Sequence, residues 1–350
     1  MKRKFQKLIV ILGPTASGKT KLAIKLALRL SSEQAKKRFG IKGVEIVSAD
    51  SRQVYKGMDI GTAKITRDRP NKKRIGTNRK RIFDKNSISF DSDSSEYLHR
   101  GIPHYLLDVA NPKRKFTVAQ YRKLALKAIE KIQKKNKIPF LVGGTGFYIQ
   151  AVVDGLVIPK VKPDWKLRKK LEKKSVGELF KILKKLDPRR AKKIDKKNPR
   201  RLIRAIEICK KIGKTPPLKF KPLPYPVLMI GITRTRKELK QRIKKRFFDW
   251  LKRGLILEVM KLKKMGISSK RIEEFGMHYR EISKYLKGEI SEKEMIENSV
   301  REIQNYAKRQ LTWFKKYPAP EQVRCGTSKR INWVKNFKEA EKLVKDYLKN

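Results

Sequence analysis

Four short apolar runs, Leu8–Leu12, Val44–Val47, Phe140–Val142 and Val227–Ile232, stand out from a chain otherwise dominated by helical patterns. Apolar runs of this length alternating with helical periodicity predict a parallel sheet of the α/β class. The first run enters a glycine-rich turn and then KLAIKLALRL, where Leu22, Leu26 and Leu30 recur at helical spacing. Strand, loop and helix are expected in that order. Phe116–Ile132 is a second clear helix pattern, with Thr117 placed to cap it.

From Thr66 to Arg100 the periodicity lapses into charge and serine clusters, which predicts a loop or disordered excursion. It reads as a tolerated surface insertion in preference to the alternative, an RNA-binding arm. After Pro159 the strand signals stop, and Lys- and Arg-rich helical patterns run to a proline cluster that begins at Pro216 and Pro217 and ends at Pro226. That change of composition predicts an inserted, mainly helical domain. A return strand over Pro226–Thr233 leads to a helix from about Lys237 to Lys264, interrupted near Gly254, and another from about Ser291 to Lys316. Asn336–Leu348 reads as a closing helix, and no internal repeat is visible. The expected division is therefore 1–158 as the first part of the core, 159–222 as the insert and 223–350 as the core's continuation.

Composition narrows the function. With 350 residues the chain is long enough for two cores. No apolar run approaches the ~20 residues that cross a bilayer, so a protein without membrane association is expected. The basic lead-in Lys2–Lys7 resembles the start of a signal peptide, but the five apolar residues after it fall short of the usual h-region of at least ~7. A cytoplasmic protein is expected. The two cysteines, Cys209 and Cys325, are far apart and the three histidines have no ligand spacing, so any metal should be oxygen-bound. A formal charge of +59 points to nucleic acid, although a general bias toward lysine on the surface explains part of it.

The chemistry gathers after three of the strands. GPTASGKT (Gly13, Pro14, Thr15, Ala16, Ser17, Gly18, Lys19, Thr20) matches G-x-x-x-x-G-K-[ST] between a strand and a helix. In that setting the loop amides and helix end cradle phosphates, Lys19 reaches terminal oxygens and the Thr20 hydroxyl can hold Mg²⁺. The core is thus expected to be P-loop NTPase-like. Asp50 follows the second strand, at the same sheet edge, and reads either as a base or metal-shell carboxylate or as a cap for the next turn. Ser51 and Gln53 have polar tips suited to base edges. The third strand ends in GGTG, where Gly143, Gly144 and Gly146 allow close approach and Thr145 offers a hydroxyl. In the insert, Arg200, Arg201 and Arg204 surround a helix start, with Arg200 and Arg204 on one face. A solvated basic face is the alternative, and Leu202, Ile203, Ile206 and Ile208 read as core.

These stretches resemble the tRNA dimethylallyltransferases, also called tRNA isopentenyltransferases. The similarity is carried by GPTASGKT, SADSRQVYKGMDIGTAK, GIPHYLLDV, FTVAQYRKLA, IPFLVGGTGFYIQA, NPRRLIRAIE, the helix with Gly254-Leu255 and Glu258-Val259, YLKGEIS and YAKRQLTWF, in order from Leu8 to Phe314. The run Ser48–Lys64 is the most specific, since generic P-loop kinases lack it. The resemblance implies that dimethylallyl diphosphate and Mg²⁺ bind the P-loop residues Gly13–Thr20, and that the anticodon arm of tRNA presents the adenosine immediately 3′ of the anticodon. It further implies that Asp50 is the base, with Lys19 and Thr145 near the reacting groups. Asp50, Ser51, Arg52, Gln53, Thr145, Arg168, Arg200, Arg201, Leu202, Ile203 and Arg204 would contact tRNA, and the insert would be the tRNA-binding domain of a monomer. The chain departs from the family pattern in the length of Thr66–Arg100, in His104-Tyr105 for paired histidines, in Gly276-Met277-His278-Tyr279 and in Ile303-Gln304. It also lacks the cysteines for the zinc finger of cytosolic eukaryotic members.

Two other classes compete: a small-molecule P-loop enzyme, either an ATP-using kinase or a prenyltransferase of free adenine nucleotides, and a basic RNA-binding protein with a nucleotide switch. The Arg-bearing helices of the insert weigh against the first. Asp50-Ser51-Arg52-Gln53 at the P-loop edge weighs against the second.

Overall fold

A computed structural model describes residues 6–68, 97–217, 219–317 and 331–349. The chain divides into two compact units, one formed by Met1–Gly155 with Pro222–Asn350 and the other by Leu156–Lys221.

The larger unit is built on seven strands: β1 (Leu8–Leu12), β2 (Val44–Ala49), β3 (Tyr97–His99), β4 (Ile102–Tyr105), β5 (Ile138–Gly143), β6 (Val227–Ile232) and β7 (Ile331–Val334). Their order across the sheet is β3-β4-β2-β5-β1-β6-β7, parallel throughout except that β3 runs antiparallel to β4. Successive residues of β1 feed opposite faces: Leu8, Val10 and Leu12 join one apolar core, Ile9 and Ile11 the other. Both faces are covered, which is why the central strands read as unbroken apolar runs rather than alternating ones. The helix Lys19–Leu30 and the closing helix Phe337–Lys349 pack on the second face. Val118–Lys134, Gly146–Val153, Arg236–Lys252, Leu255–Lys264 and Glu292–Lys315 cover the first.

Local signals explain the helix limits. Thr117 caps Val118–Lys134 in a reciprocal box with Gln120, and Ser291 does the same for Glu292–Lys315 with Glu294. Gly254 takes φ 90° between Arg236–Lys252 and Leu255–Lys264, a left-handed turn that a side chain would resist. This is the interruption expected there.

Three short strands escape the sequence reading. β3 lies within the stretch expected to be loop, so Tyr97–His99 is corrected to an edge strand; residues 69–96 of that excursion lie outside the described residues. β4 holds a proline, Pro103, and β7 (INWV) comes after the last expected strand. Each is at or near a sheet edge, where short, partly polar strands are the rule.

The smaller unit is helical. Trp165–Leu171, Val176–Leu186, Pro188–Lys193 and Pro199–Ile212 enclose a separate core of Leu171, Leu179, Leu183, Leu202 and Ile206, among others. A bridge between Leu156 and Phe220 ties its two ends together.

Candidate active site

The three strands that carry chemistry, β2, β5 and β1, are consecutive in the sheet and parallel, so the loops leaving their carboxyl ends lie side by side. At about 4.8 Å between strands, the P-loop, the Asp50 turn and the GGTG turn are confined to roughly 10 Å.

The P-loop follows β1. Ala16 (φ 63°) and Gly18 (φ 98°) interrupt right-handed neighbours with left-handed residues, a pattern that turns successive amides inward to form an anion nest. Ser17 N donates to Pro14 O at 3.2 Å, which closes the turn. Among the described residues the amides of Ala16, Gly18, Lys19 and Thr20 donate to nothing, and Ser17 Oγ is buried without a partner. Lys19 Nζ lies 3.3 Å from Pro14 O. Burial lowers its pKa to about 8; the Asp50 carboxylate acts to raise it and Arg246 to lower it further.

Asp50 uses one oxygen only: Oδ1 accepts from Arg52 N (2.8 Å) and Gln53 N (3.3 Å). It is therefore a turn cap, as the plainer sequence reading allowed, and its second oxygen carries no hydrogen bond among the described residues. The cap occupies one of the carboxylate's two oxygens. Thr145 joins the second loop to the third, because its Oγ1 accepts from Ser51 N at 3.0 Å while its own amide donates to Ala49 O at 3.1 Å. Gly143 cannot carry a side chain, since a Cβ there would lie 2.1 Å from Ala49 O. Lys19, Asp50 and Thr145 are thus brought together.

Other expected contact residues have partners of their own. Arg52 Nε donates to Phe275 O at 2.8 Å. Gln53 receives Ser48 Oγ at 3.0 Å and donates to Thr62 O at 3.1 Å, so its amide braces the loop from inside. The same loop is held by Glu258, whose carboxylate accepts from the amides of Asp59 (2.7 Å), Ile60 (2.6 Å) and Gly61 (3.1 Å) and from Tyr279 Oη (2.8 Å). The residues at the family departure near Gly276 therefore include an anchor of the specific Ser48–Lys64 run.

In the helical unit Asn198 caps Pro199–Ile212, accepting from Arg201 N at 3.1 Å, and this sets Arg200 and Arg201 in the first turn with exposed side chains. Arg204 and Arg168 are committed differently. Both bind the buried Glu207, Arg168 through two nitrogens at 2.8 and 2.7 Å, and Arg204 also donates to Val161 O at 3.0 Å. Burial pushes the Glu207 carboxyl up, but these bonds and that from the Asp164 amide hold it below the usual range. Leu202 and Ile203 are core residues, 0% and 6% exposed, so of the expected run only Arg200 and Arg201 present side-chain charge to solvent, Arg201 with Asp195 Oδ2 3.7 Å from its Nη1.

Arg242 and Arg246, on the helix Arg236–Lys252, were not singled out from the sequence. Arg242 Nε donates to Ala16 O at 2.7 Å, and Arg246 is half-buried near Lys19. Together they flank the phosphate cradle with cations. Their signal was a pair at i, i+4 bordering the buried stripe Leu239, Ile243 and Phe247.

Comparison with known proteins follows the same lines. The IPP transferase family model matches residues 85–317. The chain is 38% identical over 349 residues to a tRNA dimethylallyltransferase of Acetivibrio thermocellus, covering 97% of this chain and 95% of the relative. It is 38% identical over 361 residues to one of Finegoldia magna, covering 99% and 96%. Among solved structures, a full-length tRNA isopentenylpyrophosphate transferase of Bacillus halodurans shares 33% identity over 99% of this chain and 97% of its own, with a TM-score of 0.62. A eukaryotic dimethylallyltransferase acting on tRNA has the same fold, with a TM-score of 0.68, 24% identity and coverage of 98% and 77%. By sequence along nearly its whole length and by fold, the chain belongs to the IPP transferase family of tRNA dimethylallyltransferases.

Proposed function

We propose that this protein transfers the dimethylallyl group of dimethylallyl diphosphate to N6 of the adenosine immediately 3′ of the anticodon in tRNA, releasing diphosphate. The observation that carries the reading is the meeting of a phosphate cradle, Lys19, Asp50 and Thr145 on three adjacent strand ends. We take the enzyme to act as a monomer. Its substrate places it in the cytoplasm, and no described helix is long and apolar enough to cross a membrane.

The chemistry follows from the groups present. Adenine N6 is a weak nucleophile because its lone pair is delocalised into the ring, so the electrophile must be activated. Breaking the allylic C–O bond leaves a resonance-stabilised carbon and a diphosphate whose charge the unbonded loop amides, Lys19, Arg242 and Arg246 neutralise. As the C–N bond forms, the amine becomes acidic and passes a proton to the free oxygen of Asp50. Thr145 holds the Asp50 turn in register through Ser51.

Mg²⁺ fits the donor set. The Thr20 hydroxyl has no hydrogen bond among the described residues, and hard divalent ions select such oxygens. Thr20 would hold the ion, which when bound would add positive charge at the diphosphate.

The state of Lys19 gives a pH test. Anions favour its charged form, and in the free enzyme that form is lost as pH rises through about 8. Donor affinity should hold below that pH and weaken above it, as seen by calorimetric titration with dimethylallyl diphosphate. A flat profile across that range would show that Lys19 does not meet the diphosphate.

Arg200 and Arg201 carry the tRNA part of the reading. Both are exposed cations in the first turn of the helix, where the dipole does not favour them, and Arg201 is paired only at 3.7 Å with the exposed Asp195. Changing both to Ala should weaken tRNA binding and lower its salt slope by about one to two, as counterion release falls with each lost phosphate contact. Donor affinity should not move. An unchanged slope in filter binding would remove this face from the tRNA surface.

A further inference from the structure

One residue touches two of the three site loops at once. Gln310, on the helix Glu292–Lys315, accepts from the Thr15 amide of the P-loop through Oε1 at 2.8 Å and donates through Nε2 to the Gly144 carbonyl of the GGTG turn at 2.7 Å. It is 6% exposed and belongs to a stripe otherwise made of Met295, Ser299, Ile303, Ala307 and Phe314. An apolar side chain would suit that stripe but would leave both backbone groups unmatched.

The helix addresses the GGTG turn residue by residue. A Cβ on Gly144 would lie 2.4 Å from Gln310 Nε2, and one on Gly146 would lie 2.3 Å from the Trp313 ring. Tyr306 lies on the same helix; burial first and Asp50 second push its phenol pKa up. Positions 306, 310 and 313 are spaced to share one helix face. The same Cβ on Gly144 would lie 3.2 Å from Gly13 O and 3.4 Å from Lys19 Nζ, so the Gln310 contact is made where the turn packs against the P-loop. Because Thr15 N is given to Gln310, the diphosphate is left to the later amides of the loop.

We propose that Gln310 is a positioning residue: it fixes the P-loop against the GGTG turn, and so sets the departing diphosphate and its allylic carbon relative to Asp50 and Thr145. This rests on the transfer reaction proposed above. It gives the helix that carries the YAKRQLTWF run a role in the geometry of the site.

Loss of alignment lowers the rate of the bound complex without lowering affinity, and displacements near 1 Å can cost about 10²-fold. Gln310→Ala should therefore reduce the single-turnover rate of transfer to tRNA by about that factor, with Kd for dimethylallyl diphosphate and for tRNA within a few-fold of wild type. Gln310→Glu keeps the acceptor for Thr15 N but turns a carboxylate on the Gly144 carbonyl, so it should be as slow or slower. Gly144→Ala alone should destabilise the fold through its clash with the Gln310 amide. Combined with Gln310→Ala, the methyl occupies the vacated space, and the urea midpoint should return toward wild type while the rate stays low. A double variant that transfers at the wild-type rate would overturn the proposal. So would a Gln310→Ala protein whose loss of rate only tracks its unfolded fraction. Failure of the transfer reading itself would look different, as absence of product with every protein including wild type.

Discussion

Replacing Asp50 with asparagine is expected to slow the chemical step by about 10²–10⁴-fold while both ligands still bind, the range that a positioned base contributes. The structure makes asparagine the clean substitution. Asp50 caps its turn through Oδ1 alone, and an amide oxygen can accept the same bonds from Arg52 N and Gln53 N. The turn, Ser51 and the bond to Thr145 should therefore survive, and only the proton acceptor is lost. Single-turnover transfer with pre-bound tRNA reads the step directly. A rate within a few-fold of wild type would leave Asp50 as a cap and nothing more.

Lys19→Ala should act on the other side of the reaction. The ammonium group is held in a recess where burial already disfavours its charge, so removing it does not cost the empty fold an important contact. The diphosphate is what compensates that burial. Dimethylallyl diphosphate affinity and transfer rate should fall together, the rate by about 10²–10³-fold, as when one preorganised group facing developing charge is deleted. tRNA affinity should stay near wild type in a filter assay. Equal loss of tRNA binding would instead indicate a damaged fold or a surface shared by both ligands.

What could be read from the sequence was what lies contiguous in it. A P-loop is eight consecutive residues whose chemistry is largely backbone, so its spacing alone carries the geometry, and Asp50 and Thr145 were placed by the strands they follow. The central strands were legible because burial on both faces makes them apolar without interruption. β3, β4 and β7 were not, since an edge strand is short and tolerates Pro103, His104 or Asn332. The supports of the site were hidden for a different reason. Gln310, Arg242 and Arg246 reach the P-loop from helices more than two hundred residues away, and in sequence they are ordinary polar residues of amphipathic helices. Gln310 left one trace, a polar residue in register with a buried stripe. Arg168 and Arg204 show the converse: the resemblance implied a nucleic-acid contact for both, yet both are held by Glu207, a partner distant enough in sequence from Arg168 that no local pattern predicts the pairing.

Nucleoside analysis of the product is the most direct test of the transferase reading. The full chain is incubated with Mg²⁺, labelled dimethylallyl diphosphate and either tRNA or AMP, and the RNA is digested and resolved by mass. The predicted result is one added dimethylallyl unit on the adenosine immediately 3′ of the anticodon, with label appearing in tRNA and not in AMP. Label carried equally well by AMP, or found on tRNA at positions outside the anticodon loop, would contradict it.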